Sequence, residues 1–386
     1  MIQVNDKTRC SGCHACYNVC PKNCIRMLSD SYGFLYPSVD MEMCINCHLC
    51  EKSCPIINSI KTSGDTKETF AAINKNDHIR VLSSSGGIFS LVAEYIISQN
   101  GIVYGAAFTD NFKKVHHIAI EKKEDLYKLR GSKYVQSEIG HCFTNVKHHL
   151  DIGQKVLFTG TPCQISGLYA YLKKDYDNLF TQDLICHGSP SPKIWRIYIE
   201  EREKNFISKA NDVSFRNKIY GWKNFSLSIK FENNIEYMQT LNNDPFLKAF
   251  LTDTCLRDSC YKCSFKKIKN KISDITLADF WGIQEIMPEM DDDKGTSAVL
   301  IHTEKGRFLF NSILSQIKLQ KVDLESIIKY NPALVQSAYP NPNRERFICS
   351  VNNDNFDKMV LKYCYPNLHT RIKNKIKDAI KKMLGW

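Results

Sequence analysis

The 386-residue sequence has no run of about eighteen apolar residues, the length at which a helix crosses a bilayer, so no membrane-spanning helix is expected. Its opening stretch, MIQVNDKTRC, has no apolar leader core and no small-residue cleavage motif, which argues against secretion. Acid is scarcer than base: 41 Asp and Glu against 52 Lys and Arg give a formal net charge of +11. That balance suits nucleic acid, anionic lipid or acidic partners alike. No helix-turn-helix or RNA-binding signature is present, and nucleic acid is not expected. No nucleophile–base pair is evident, so the catalytic residues stay unknown. The hydrophobic share of 43% and the charged share of 24% are ordinary for a globular protein, and the length suffices for two or three domains.

Cysteine is plentiful, with 17 in the chain. Without a leader they are expected as thiolate ligands in a reducing cytoplasm rather than as disulfides. Residues 1–58 hold nine of them. CSGCHACYNVCP supplies Cys10, Cys13, Cys16 and Cys20, and CINCHLCEKSCP supplies Cys44, Cys47, Cys50 and Cys54. Both match C-x2-C-x2-C-x3-C-P, in which three close thiolates grip one [4Fe–4S] cube and the fourth, before proline, reaches the other. One cluster is therefore expected on Cys10, Cys13, Cys16 and Cys54, and the other on Cys44, Cys47, Cys50 and Cys20. Structural zinc has no use for a crossed fourth ligand followed by proline. The segment resembles a bacterial two-cluster ferredoxin over roughly residues 5–57, with the stretch between the halves as a hairpin. Cys24, unmatched in the pattern, is expected to be a small buried residue.

After a polar linker at 61–69 the pattern turns α/β. SSSGGIFSLVAEYIISQNG reads as a loop opening a helix that stops at Asn100-Gly101. IVYGAAF and VHHIAI read as strands. KVLFT feeds the turn GTPC and a helix, and LFTQDLIC feeds HGSPSP and another helix. Strand–turn–helix units in series imply parallel strands. DVSFRNK and FSLSIKFENN read as an antiparallel addition, and residues 297–330 as strand, helix, strand, helix.

SSSGG (83–87), LRGSKYVQS (129–137), GTPCQISGL (160–168), DLICHGSPSP (183–192) and SDITLADFWG (273–282) occur in one order. In that order, behind a ferredoxin segment, they resemble the coenzyme F420 hydrogenase/dehydrogenase beta-subunit family over perhaps residues 5–300. The resemblance implies an iron–sulfur flavoprotein that binds FAD. Ser85, Gly86 and Gly87 then offer amide groups at a helix N-terminus for a pyrophosphate. Lys133 offers a phosphate-pairing cation. Gly160, Thr161, Pro162 and Cys163 lie at the strand edge where open α/β sheets bind ligands. One departure is that Ala278 stands before Asp279 where the family usually has glycine.

DTCLRDSCYKCSFKK, residues 253–267, places Cys255, Cys260 and Cys263 within nine positions. They are expected to hold a third [4Fe–4S] cluster, closing it like a flap against the strand edge. The fourth ligand is Cys186 or Cys163, with Cys186 preferred because it ends a rigid buried strand. Cys163 begins a helix, whose positive end favours a thiolate. His187 is left unassigned. In the tail, HTRIKNKIKDAIKKMLGW carries six Lys and Arg against one Asp, with Ile372, Ile376 and Ile380 on one helical face. It suits either an anionic membrane surface or packing on its own domain.

These readings give an α+β ferredoxin-like dicluster domain (1–58), followed by an α/β flavin-binding body with a mixed sheet (70–152 and 153–335) and a tail (336–386). The expected function is electron passage between ferredoxin-type clusters and FAD, to reduce or oxidise a cofactor or small organic substrate, with glycan metabolism one setting. The alternative is an electron-transfer subunit feeding a partner enzyme. A redox partner protein or ferredoxin is expected, and the location is cytoplasmic, with peripheral membrane contact through 369–386.

Overall fold

The computed structural model describes residues 1–58, 65–269, 271–351 and 355–365. The amphipathic segment 369–386 and residues 61–64 of the linker lie outside them. Glu68 and Thr69, assigned to the linker from sequence, already belong to a strand.

The cysteine-rich segment is built around an antiparallel hairpin, β1 (Ile25–Ser29) with β2 (Leu35–Val39). Its turn closes on Asp30, whose Oδ1 accepts the N–H groups of Tyr32 and Phe34 at 3.0 and 2.9 Å. The two cysteine motifs share a backbone device. Gly12 and His14 take φ of 67° and 62°, and their counterparts Asn46 and His48 take 51° and 58°. Left-handed residues before and after the middle cysteine curl each loop, and Gly and Asn adopt that conformation at least cost.

The body is an eight-stranded mixed sheet. Its strands are β3 (Glu68–Asn74), β4 (Ile102–Phe108), β5 (Val115–Ile120), β6 (Val156–Thr159), β7 (Leu179–Leu184), β11 (Ile275–Asp279), β12 (Ser297–Ile301) and β13 (Ile317–Lys321). Their order is β13-β3-β12-β11-β7-β6-β4-β5. The central run β11-β7-β6-β4 is parallel and the flanks are antiparallel. Both faces are covered, so the central strands carry apolar residues on both sides. On β6, Leu157 packs with Ile88, Val92 and Ile96 of helix Ile88–Ser98 and with Leu309 and Phe310. Val156 and Phe158 point the other way, to Phe143, Val146, Ile165 and Leu168 of helices Cys142–Asp151 and Pro162–Leu172. A second, three-stranded antiparallel sheet holds β8 (Ala210–Asn217), β9 (Ser226–Phe231) and β10 (Glu236–Thr240). Residues 344–350 and 356–363 pack as helices into the core beside it.

Ala278 sits mid-sheet in β11, paired with Ala298, and is not among the residues with positive φ. The missing glycine therefore imposes no strain.

The ferredoxin segment seats on the body through helix Pro162–Leu172. A Cβ on Gly167 would stand 2.8 Å from Cys13 Cβ and 3.0 Å from its Sγ. Any side chain there must push the two apart. Gly167→Ala is expected to destabilise the protein by about 1–3 kcal/mol through overpacking and to lower its thermal midpoint. An unchanged midpoint would show that this contact gives way freely.

Candidate metal centre

β6 and β7 are parallel neighbours, with Thr159 beside Gln182, so both end at one edge of the sheet. Past β6, Thr161 N–H donates to Gln164 Oε1 at 2.9 Å, and Pro162 occupies the first helical turn, where its missing N–H costs nothing. This cap places Cys163 at the helix start. Past β7, Ile185 keeps one sheet bond, its N–H to Leu277 O, and Cys186 follows in the loop. From below, the single turn Asp258–Lys262 delivers Cys260 and then Cys263.

Cys163, Cys186, Cys260 and Cys263 all line one cavity of about 670 Å³. Burial pushes the Cys163 thiol up to about 12, and the nearby Cys263 and Cys260 add to it. Burial raises Cys186 well above the usual thiol range, followed by Cys260, Cys163 and Cys263. Because each thiolate opposes the next, Cys163 and Cys186 ionise together only with positive charge beside them. Ser189 N–H donates to Cys260 Sγ at 3.3 Å, and Thr161 Oγ1 lies 3.1 Å from Cys163 Sγ. Five cations, Arg9, Arg257, Lys262, Lys266 and Lys271, also line the cavity, and no carboxylate does among the described residues. Among the described residues no three Cys, His, Asp or Glu side chains close on one point as a single ion requires. The four thiols share the lining of one cavity.

The ring differs from the expected set in two ways. Cys163 and Cys186, weighed as alternatives, are both present. Cys255 is not: it is 0% exposed within the apolar core that includes Trp195, Phe246 and Leu256. Leu256 bridges to Pro190 as an isolated antiparallel pair, and Ser191 N–H donates to Cys255 O at 2.9 Å. That pairing fixes Cys255 in the core, close to Cys364. His187 also lines the cavity and meets Asp253 Oδ1 at 2.6 Å through Nε2. Sequence offered no signal for that pairing across 66 positions.

The ferredoxin cysteines fall into two groups. Cys10, Cys13, Cys16 and Cys54 are near enough for each charge to act on Cys16, whose thiol is raised first by burial and then by the other three. Cys20, Cys44, Cys47 and Cys50 line a second cavity of about 360 Å³, together with Cys24.

The two loops expected to hold a flavin meet. Ser84 Oγ lies 2.8 Å from Ser132 Oγ and accepts Ser132 N–H at 2.7 Å. Gly86 is a glycine for packing, since a Cβ there would stand 2.4 Å from Ala72 O. Gly87, with φ of 79°, caps helix Ile88–Ser98, and Ser85 Oγ donates to Thr296 O at 2.7 Å. Lys133 Nζ donates to the carbonyls of Lys128 and Arg130 at 2.8 and 3.0 Å. Burial, then the charge of Arg130, brings its pKa down to about 7. Lys218 likewise donates to three carbonyls, and burial followed by Arg216 lowers it to about 7. Lys133 is half-buried and keeps one N–H free of these carbonyls, whereas Lys218 is buried with all three of its N–H donors engaged. Pro162 and Cys163 belong to the thiol cavity, whereas Gly160 and Thr161 shape the turn that leads to it.

Residues 153–326 match the family model for the C terminus of the coenzyme F420 hydrogenase/dehydrogenase beta subunit, and residues 9–56 match the 4Fe-4S dicluster domain. That C-terminal region of the beta subunit therefore occupies residues 153–326 of this chain, with a dicluster domain in front. It is 25% identical over 332 residues to a coenzyme F420-dependent sulfite reductase of Methanocaldococcus jannaschii, covering 85% of this chain and 49% of the relative. The chain thus spans about half the length of that protein. An uncharacterised protein of the same organism is 23% identical over 364 residues, covering 85% of this chain and 93% of the relative. A chain of the F420-reducing [NiFe] hydrogenase complex from Methanosarcina barkeri aligns with a TM-score of 0.49 and 17% identity, covering 74% of this chain and 92% of that one. Among the described residues no helix is long and apolar enough to cross a membrane.

Replacing Cys163, Cys186, Cys260 or Cys263 singly by serine is expected to lower iron per chain by about one cluster. Cys255→Ser is expected to keep iron at the wild-type level and to cost about 1–3 kcal/mol through its buried hydroxyl. Iron and acid-labile sulfide assays on anaerobically purified protein separate the two groups. Iron loss in Cys255→Ser alone would restore the expected set.

Proposed function

We propose that the chain is an iron–sulfur flavoprotein that passes electrons between a protein redox partner and a cofactor or small organic substrate. The observation that carries this is the gathering of Cys163, Cys186, Cys260 and Cys263 from three separate segments, one helical turn from the contact between Gly167 and Cys13. Four thiols lining a volume suit a polynuclear cluster better than one zinc ion, whose Zn–S bonds of about 2.3 Å would draw the sulfurs together. Cys10, Cys13, Cys16 and Cys54 would hold one cluster of the ferredoxin segment, and Cys20, Cys44, Cys47 and Cys50 the other. Bound there, the clusters would carry single electrons and FAD would exchange electron pairs.

The protein's own residues prepare these sites. Arg257, Lys262, Lys266 and Lys271 offset the negative charge of four thiolates. His187, oriented by Asp253, presents an imidazole to the same cavity. Lys133 would pair with the flavin pyrophosphate beside the Ser84–Ser132 contact. F420 is favoured as a candidate cofactor by the family match.

A second reading, an electron-transfer subunit without its own substrate site, is favoured by one observation. The chain covers only 49% of the sulfite reductase relative, so that protein has a further half absent from this match. Rapid-mixing reduction of the isolated chain, with and without a partner, discriminates between the two. Turnover of F420 or an organic molecule by the isolated chain supports the first reading. A colourless protein with zinc and no flavin would overturn both.

FAD binding is expected to weaken as pH rises above 7. The Lys133 pKa is about 7 without an anion beside it, and a pyrophosphate favours the ammonium. Binding above that pH therefore takes up a proton, and affinity falls by at most about tenfold per pH unit for each such group. Below it Lys133 is already charged and the dependence flattens. Lys133→Gln is expected to weaken binding and to remove that slope. Titration of flavin-depleted protein with FAD at pH 6 and pH 8.5 reads both effects, and equal affinity at the two values would remove Lys133 from the site.

A further inference from the structure

Cys24 is the one cysteine of the ferredoxin segment that the paired motifs do not use. It follows Cys20-Pro21-Lys22-Asn23, and this turn folds back on itself. Asn23 takes φ of 50° and donates its N–H to Cys20 O at 3.2 Å. Asparagine tolerates that left-handed conformation better than most residues. As a result Cys24 Sγ comes within 3.3 Å of Cys20 Sγ. Cys24 is 3% exposed and lines the cavity shared by Cys20, Cys44, Cys47 and Cys50.

The second motif lacks this device. Its corresponding run is Cys54-Pro55-Ile56-Ile57-Asn58, with asparagine where the first has Cys24. Asn58 turns to the backbone and donates through Nδ2 to Glu51 O at 2.7 Å. The fifth thiol is thus confined to one of two otherwise matching sites.

We infer that Cys24 donates a hydrogen bond to the Cys20 sulfur and thereby raises the reduction potential of the cluster held by Cys20, Cys44, Cys47 and Cys50. The inference rests on those four cysteines holding a cluster. A sulfur bonded to iron as a thiolate has no proton to give, so within this pair only Cys24 can be the donor. Added negative charge on ligand sulfurs strengthens the hydrogen bonds they accept, and such bonds are one of the levers on cluster potential. Other donors reach the same centres: Ile2 N–H lies 3.3 Å from Cys50 Sγ, and Arg257 Nη2 lies 3.7 Å from Cys10 Sγ on the neighbouring site. Cys24 is therefore a positioning residue whose effect is local to one cluster.

The test uses the full chain, purified anaerobically, as wild type, Cys24→Ala and Cys24→Ser. Iron and sulfide are counted, and each cluster is followed by electron paramagnetic resonance during potentiometric titration. Cys24→Ala is expected to keep wild-type iron while one cluster signal titrates at a lower potential and the others stay in place. Cys24→Ser, whose hydroxyl still donates, is expected to recover part of the shift. Wild-type potentials for every signal in Cys24→Ala would reduce Cys24 to packing. Loss of about one cluster of iron in that variant would overturn the inference as well, because a donor is not needed to retain iron. A wild-type chain without clusters would instead overturn the underlying ligand reading.

Discussion

Arg257 is the contact that seats the ferredoxin segment beside the cysteine cavity of the body. Its guanidinium is 1% exposed, yet the groups it bonds are neutral oxygens and one sulfur. Nε donates to Cys10 O at 2.8 Å, Nη1 to Gln136 Oε1 at 3.0 Å and Nη2 to Leu35 O at 2.9 Å. The Tyr36 ring lies under it at 4.1 Å. A buried cation costs several kcal/mol unless something negative compensates it. Thiolate-rich centres on either side are suited to do so: Cys10 on the ferredoxin side, and Cys260 on the body side, whose thiol Arg257 acts to lower. One side chain thus ties two domains together and stands between two groups of cysteines.

The sheet supplies the rest of the frame. Parallel strands ending at a common edge present their following loops side by side, and β6 and β7 bring Cys163 and Cys186 together by that rule. The flanking antiparallel strands add width without disturbing the edge. Buried polar contacts hold the central strands in register. Asp274 accepts from Thr181 N–H at 2.8 Å and Thr181 Oγ1 at 2.9 Å, linking the approach to β11 with β7. Rigid strand ends make a better platform for thiol ligands than free loops.

The ferredoxin repeats show why part of the site was readable in the chain. Ligands within one motif are a few residues apart, so their spacing is written locally and short left-handed turns suffice to converge them. The third site offered a misleading local signal. Cys255, Cys260 and Cys263 look like a set by spacing, but a spacing of five residues says nothing about which way each side chain faces. The bridge between Leu256 and Pro190 turns Cys255 into the core, a contact 66 positions away in sequence. The strands, their α/β order and the antiparallel addition were legible because hydrophobic period and turn residues are local properties. The single sheet spanning 70–152 and 153–335 was less so, since strand order depends on long-range pairing.

By itself the sequence determined the doubled ferredoxin motif, the alternation of strand and helix, and the edge on which Cys163 and Cys186 must lie if their strands are neighbours. These follow from residue spacing and backbone preference, which act within about a dozen positions. Only the tertiary structure decided that both cysteines join Cys260 and Cys263, that Cys255 does not, and that Cys24 lies against Cys20. It also decided that Arg257 stands between the domains. Each of those outcomes depends on which buried faces meet, and packing settles that through contacts that sequence separation does not reveal.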